Sequence, residues 1–404
     1  MRCFICDSEN LSLFLSLGHQ PPSDAFLRKE DLTKPETSYP LDVYFCGQCG
    51  LVQLGYAVDP EILFRDYVYS SGTNNILKKH FKDFVDALVK AYELSSASLA
   101  VDVGSNDGSL LENYTSHHVR ILGIDPSSVT SIAIAKGQPT IVDFFCEETA
   151  LRAVHEYGQA QIITATNVFA HVKDLQSFMR GIRALLAPGG VFVSESGYTA
   201  DLVEQLQYDF IYHEHLRYYT LGPLRKLFEM HDMEIIDAER ISIHGGSIRV
   251  HAAIKGTRSI SPRVAELIDK EKSLGLYNLS TYSSFAQRVR DVKHQLQQML
   301  LAEAGARKKI IGIGAPAKGN TLLNYCKIDA DIVSYLVEKS DLKIGKYTPG
   351  MHIPVIEENP EHVTSADCAL LLSWTIADEL MPKLRAKGYN GTFIIPAPTP
   401  RIVT

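Results

Sequence analysis

No apolar run in the chain approaches the roughly 18 residues that a membrane-spanning helix needs. The opening residues, MRCFICDSEN, carry no signal-peptide h-region, so the expected location is the cytoplasm. Runs rich in Lys or Arg are missing too, and the net charge is −7. That balance argues against a protein whose main business is gripping nucleic acid phosphates. The zincin pattern H-E-x-x-H is absent: in IYHEHLRYYT (211–220), His213 and His215 stand only two apart. Such a pair shares one face of a strand but diverges on a helix.

What remains is an ordinary globular composition, 45% apolar and 22% charged over 404 residues, enough for two or three domains. Four of the seven cysteines fall as Cys3-x-x-Cys6 and Cys46-x-x-Cys49. Tetrahedral zinc takes four thiolates, and each C-x-x-C turn supplies two from one tight loop. A disulfide pair is the alternative, disfavoured in the cytosol. Residues 1–56 then read as a small zinc-stapled domain, too short for a strong core of its own. Cys146, Cys326 and Cys368 read as free thiols.

In KKHFKDFVDALVKAYEL, Phe81, Phe84, Val85, Leu88, Val89 and Tyr92 form one helical stripe. The preceding RDYVYSSGTNN holds capping and turn residues that could offer backbone donors to a ligand. LAVDVGSNDGSLLENY is then an apolar strand, a loop with Asp102, Gly104 and Gly108, and a helix; the next strand, RILGIDP, ends at Asp125. Small loop residues let the backbone approach a ligand, and an acid closing the second strand can hold ribose hydroxyls. The loop is not G-x-G-x-x-G, so it suits S-adenosylmethionine, which has no phosphates to cradle, better than a dinucleotide.

The strand–helix rhythm continues through QIITATNVFAHV, the helix QSFMRGIRALLAPGG ending at a glycine pair, and VFVSESG. A helix and two alternating strands, MEIIDAERI and SIRVHAAIK, suggest an antiparallel edge hairpin. Asn167 and His171 follow the fourth strand, where ligands collect in such sheets. Beyond residue 257 comes a long polar helix with a stripe of Phe285, Val289, Val292, Leu296 and Met299. A second α/β unit opens with KKIIGIGAPAKGNTLLNYC, whose glycines and Lys318 make a diphosphate seat at a helix start. It lacks the full Walker or dinucleotide pattern.

The order C-x-x-C…C-x-x-C, YSSGTNN, DVGSNDGSLL, TNVFAHV, YHEHLRYY, HGGSIR, GIGAPAKGNTLLN resembles the S-adenosylmethionine-dependent sugar C-methyltransferases, which act on nucleotide-activated 4-keto-deoxysugars. The resemblance covers nearly the whole chain. It implies an α/β protein with a zinc-binding domain (1–56), a class I methyltransferase domain (57–257) and a second Rossmann-like domain (258–404). By that resemblance Cys3, Cys6, Cys46 and Cys49 hold structural zinc. Gly72, Thr73, Gly104, Asn106, Asp107, Gly108, Asp125, Phe144, Phe145 and Asn167 match positions around S-adenosylmethionine. Tyr69, His171, Tyr212, Glu214 and His215 match catalytic positions, and His213, His244, Gly245, Arg249, Lys318 and Asn320 substrate positions.

The implied chemistry explains the residue types. Methylating carbon requires a carbanion, and a ring C–H becomes removable only beside a carbonyl, which points to C3, or else C5, next to a 4-ketone. An imidazole suits the general base, assigned to His215, with Glu214 or His213 orienting it. Tyr212 and His171 would donate hydrogen bonds to the enolate oxygen. The expected partners are a nucleotide-sugar substrate and, at most, further copies in a small homo-oligomer, with no nucleic acid or membrane. Rival readings are an epimerase or oxidoreductase using the second Rossmann-like unit with NAD, an O- or N-methyltransferase, and a zinc-ribbon nucleic-acid-binding module.

Overall fold

A computed structural model describes residues 1–64, 72 and 75–404. Its first unit is an antiparallel meander of Leu11–Gln20 (β1), Tyr39–Cys46 (β2) and Val52–Leu54 (β3). Alternation along β2 buries Leu41, Val43 and Phe45 on one face. This small unit does not bury that face alone. Phe14 and Phe45 each lie 5.2 Å from Tyr282, on the long helix Leu279–Gly305 of the distant C-terminal third.

The middle unit is a doubly wound sheet. Leu99–Val103 (β4), Arg120–Ile124 (β5), Thr140–Ile141 (β6), Ala160–Thr166 (β7) and Leu186–Gly197 (β8) are parallel. Every residue of β4 is buried, as a strand covered on both faces requires. The helix Asn75–Ala91 covers one face through Phe81, Phe84, Val85 and Leu88. The helix before β8 stops at Leu185, earlier than the glycine pair where the sequence reading ended it. Pro188 disfavours the helical conformation at Ala187. Gly189 turns at φ +72°, and a Cβ on Gly190 would lie 2.8 Å from the Ala160 carbonyl oxygen, so the chain has already joined the sheet.

The chain then leaves the sheet and returns to the first unit, where Arg217–Tyr218 (β9) pairs antiparallel with β3. Met233–Ile241 (β10) and Ser247–Ile254 (β11) form the expected hairpin, and β11 pairs antiparallel with β8. The sheet order is β10-β11-β8-β7-β4-β5-β6.

The last unit is a second α/β sheet. Ile310–Ile313 (β12), Leu336–Glu338 (β13), Val355–Glu357 (β14), Cys368–Leu371 (β15), Thr392–Ile395 (β16) and Arg401–Val403 (β17) run in the order β14-β13-β12-β15-β16-β17. Only β17 is antiparallel among these pairings. The α/β class expected from the sequence is the class observed. No helix among the described residues is long and apolar enough to cross a membrane.

Candidate active site and zinc centre

The two knuckles close on each other. The Cys3 and Cys49 sulfurs lie 3.5 Å apart, those of Cys6 and Cys46 3.6 Å apart, and all four fall within 4.8 Å. A tetrahedron with Zn–S bonds of about 2.3 Å has sulfur–sulfur edges of about 3.8 Å, so the four thiols fit the ion. Without an ion the thiols do not ionise together. A hydrogen bond from Cys49 pulls the Cys3 thiol down to about 5, burial pushes Cys6 up to about 11, and the bond to Cys3 followed by burial pushes Cys49 up as well. A bound cation is what would let all four act as thiolates.

The loop after β4 is shaped by close approach. Gly104 sits at φ +74°, and a Cβ there would lie 2.2 Å from Val168 Cγ2. Gly108, at φ +76°, would bring a Cβ within 1.9 Å of Gln138 Oε1. Asn106 adopts φ +52°, a conformation Asn tolerates better than most residues. Its amide donates to Asp125 Oδ2 at 3.0 Å, and the Ser127 amide donates to Asp125 Oδ1 at 2.8 Å. The Ser127 hydroxyl donates to Oδ1 as well, at 2.5 Å, and a carboxylate has a lone pair beyond these three bonds, on the Oδ2 side, with which Asp125 can still receive a ribose hydroxyl. Asp107 accepts from the amides of Gly72 (2.7 Å) and Ser109 (3.1 Å), which draws Gly72 onto the loop. Asp102 lies beneath, fully buried, accepting from Thr164 Oγ1 at 2.6 Å, and burial raises it to about 7. Phe144 and Phe145 are half-buried, with Phe145 edge-on to Phe178 at 4.9 Å. Asn167, at φ +57°, donates its amide to the Glu195 carbonyl at 2.8 Å.

Beyond the carboxyl ends of β7 and β8, the histidines assemble. The His171 and His215 rings lie 5.0 Å apart, Tyr212 lies tilted against His215 at 4.0 Å, and Phe64 stacks on His171 at 5.6 Å. His215 Nδ1 is 2.8 Å from the Phe210 carbonyl. A carbonyl only accepts, so Nδ1 carries the proton and Nε2 keeps its lone pair. Burial pushes His215 down to about 4 against that bond, and pushes His171 well below the usual imidazole value with His215 adding to it. Both rings are therefore neutral near pH 7. Glu214, between His213 and His215 in the sequence, is buried.

His213 points elsewhere: its Nε2 lies 3.2 Å from the Tyr39 carbonyl of the first unit, and its ring meets the Tyr39 ring edge-on at 5.9 Å. The two histidines of YHEH diverge, one toward the zinc-bearing unit and one toward His171. Tyr69 and Thr73 lie outside the described residues, as does the neighbouring Tyr67.

From the C-terminal unit, Lys318 enters this region. Its Nζ donates to Thr375 Oγ1 at 2.8 Å and lies 4.8 Å from the Phe210 ring and 5.3 Å from Trp374. Phe210 thus joins the two halves, its carbonyl on His215 and its ring under Lys318. Burial lowers the Lys318 ammonium and Asp209 opposes this. Asn320 is buried and donates to the Ser23 carbonyl at 2.6 Å, bolting the helix Ala317–Cys326 to the first unit. His244 is exposed at φ +55°, and the neighbouring Gly245 carbonyl accepts from Gln207 Nε2 at 2.6 Å. Arg249 is already paired, with Glu195 at 2.6 Å and Glu239 at 2.7 Å, over the Phe84 ring at 4.2 Å.

Two residues escaped the sequence reading. Glu195, buried at the end of β8, binds Arg249 through Oε1 and His80 Nε2 through Oε2 at 2.8 Å. Burial opposes its charge, but His80 and Arg249 prevail and hold the carboxyl below its usual value. A lone acid inside the apolar stretch VFVSESG was the available signal. Arg217 gave no signal, since its partners are main-chain carbonyls.

Three family models match the chain in series: a zinc binding domain over residues 3–64, a methyltransferase domain over 76–238, and the C-methyltransferase C-terminal domain over 242–398. The C-methyltransferase NovU of Streptomyces niveus is 33% identical over 408 residues, covering 100% of this chain and 97% of that protein. A ubiquinone biosynthesis O-methyltransferase of Rhodopseudomonas palustris is 29% identical over 119 residues, 27% of this chain and 46% of that protein. Among solved structures, an S-adenosylmethionine-dependent methyltransferase from Clostridium acetobutylicum covers 44% of this chain and 92% of its own, at 16% identity and a TM-score of 0.36.

Proposed function

The chain belongs to the S-adenosylmethionine-dependent C-methyltransferases built from a zinc-binding, a methyltransferase and a C-terminal domain, and on that premise we propose that its acceptor is a nucleotide-activated 4-keto-deoxysugar, methylated at C3. The single observation that carries the mechanism is the His215 tautomer. With Nδ1 donating to the Phe210 carbonyl, Nε2 is a fixed, unprotonated base beside Tyr212 and His171.

In this reading His215 Nε2 removes the C3 proton, leaving an enolate whose charge sits on the C4 oxygen. Tyr212 donates a hydrogen bond to that oxygen. His171, neutral by burial, donates another if its N–H faces the ring, and each such donor is typically worth roughly 3 kcal/mol. S-adenosylmethionine, when bound over the 104–108 loop, supplies an electrophilic methyl to the carbanion carbon. Asp125, Asn106 and the Gly104 approach hold and admit the cofactor; Phe144, Phe145, Asn167, Gly72 and Thr73 belong to the same proposal, as does Tyr69 among the catalytic groups. Glu214 orients the base segment. Lys318 places an ammonium beside Phe210, where a diphosphate attached to the sugar can reach it, with Asn320 fixing its helix. His244 and Gly245 form the facing edge. Arg249, neutralised by two carboxylates, supports that edge rather than receiving an anion, and His213 contributes from behind through Tyr39.

His215→Asn should keep the Phe210 region intact, bind S-adenosylmethionine as wild type does, and lose both methyl transfer and solvent deuterium exchange at the sugar carbon. A loss of roughly 10²–10⁴-fold is expected for a general base. Exchange at the wild-type rate in the variant overturns the assignment. Incubation with dTDP-, GDP-, UDP- and CDP-4-keto-sugars, read by mass spectrometry for one added methylene unit, tests the acceptor.

A further inference from the structure

Arg217 is the bulkiest fully buried side chain among the described residues, with 1% exposure. A guanidinium withdrawn from water is costly unless a counter-charge and hydrogen bonds compensate it. Its hydrogen bonds run to the carbonyls of Val172 and, at 3.2 Å, Lys173, which supply acceptors but no charge. Those carbonyls belong to the two residues following His171. On its other side the guanidinium carbon lies 4.4 Å from the centre of the Phe4 ring, between Cys3 and Cys6 in the first knuckle. Gln53, opposite Arg217 across the β3–β9 pairing, accepts from the Phe4 amide at 3.0 Å. The Leu216 amide donates to the Ala170 carbonyl at 3.0 Å, so the strand reaching the knuckle also holds the start of the His171 turn.

A centre of negative charge is next door. Four thiolates around one divalent ion leave two negative charges on the knuckle, against whose Phe4 ring the guanidinium packs. Burial opposes the charged guanidinium, and Tyr219, the Cys3 thiolate and Asp174 favour it. We propose that Arg217 is the counter-cation of the zinc–thiolate centre and, through its two carbonyl bonds, the positioning residue for the His171 loop, so that zinc occupancy holds this edge of the active site in place. Zinc is then more than a staple for a small domain. The consequence for turnover rests on the proposed role of His171; the consequences for zinc retention and loop protection do not.

The test follows zinc release to a chromogenic chelator and amide hydrogen exchange of residues 168–174 by mass spectrometry. In the wild-type protein, exchange at 168–174 should rise in step with zinc loss while the strand Ile310–Ile313 stays protected; unchanged protection at 168–174 after zinc loss overturns the coupling. Arg217→Met should release zinc about 10- to 100-fold faster, the usual penalty for losing a group that supports metal ligands. Arg217→Lys keeps the charge but not the planar fork that reaches two carbonyls. It should hold zinc at close to the wild-type rate, yet expose 168–174 and lower kcat with KM for S-adenosylmethionine unchanged. Wild-type zinc release in Arg217→Met, or Met and Lys variants alike in both readouts, overturns the assignment. Should Arg217→Lys expose the loop but leave kcat at the wild-type value, the role of His171 falls and the zinc coupling stands.

Discussion

Two glycine-rich loops, 104–108 and 312–320, follow the same local pattern of apolar strand, small residues and helix, yet the fold puts them to different use. In the first, Gly104 stands against the β-branched Val168, while Asn106, Asp107 and Asp125 tie the turn to itself and to Gly72. These bonds all run within the methyltransferase unit. In the second, Lys318 reaches across to Phe210 of the methyltransferase unit and Asn320 to Ser23 of the zinc-bearing unit. The first loop, tied to itself, is the proposed rim for the cofactor. The second is a joint between three domains that also presents one ammonium.

The contrast can be broken by substitution. The largest effect is expected for Gly104→Ala, which combines a left-handed backbone position with a Cβ 2.2 Å from Val168 Cγ2. A strain of about 3 kcal/mol would weaken S-adenosylmethionine roughly hundredfold by calorimetry; wild-type affinity would mean the loop is not the cofactor's rim. Lys318→Met comes next. Loss of one charge-assisted hydrogen bond should raise the KM for the sugar nucleotide roughly tenfold or more and leave cofactor affinity unchanged. A change in cofactor affinity alone would reverse the roles of the two loops.

Smaller effects concern stability. Asp102, beneath the first loop, has a folded value raised to about 7 by burial, from an ordinary 3.8. The fold therefore favours its protonated form, and the cost of ionisation is fully present above about pH 7 and absent below the ordinary value. Asp102→Asn, which keeps an acceptor for Thr164, should gain melting temperature relative to wild type as pH rises from about 4 to 8, at roughly 2–4 °C per kcal/mol recovered. A pH-independent difference would show that the carboxyl is not protonated in the fold. The smallest effect is Gly314→Ala: it shares a positive φ of +80°, but its Cβ would come no nearer than 3.1 Å to Ser373 Oγ and 3.5 Å to Pro316 Cδ. About 1 kcal/mol of stability should be lost, with no change in cofactor binding. A loss as large as that of Gly104→Ala would erase the distinction between the loops.

Much of this was legible before any coordinates. The knuckle spacing, the loop from Asp102 to Gly108, the acid closing the next strand, and the stripes of helices 75–91 and 279–305 are all short-range patterns. They survive because a helix or a tight turn is decided by neighbours within a few residues. The glycine pair at 189–190 misled for the complementary reason: it marks close approach to the neighbouring strand, a distant partner, instead of a helix end.

The amino-acid order by itself determined the two α/β units, the four clustered cysteines and the loop proposed to take the methyl donor, since each depends on spacing along the chain. Tertiary structure alone decided that His213 turns to Tyr39 while His215 turns to Phe210, that Glu195 neutralises Arg249, and that Arg217 lies between the knuckle and the His171 loop. Those roles depend on which acceptor a side chain meets in a place without water. An unpaired buried polar group is costly enough that the fold, not the local sequence, selects the partner.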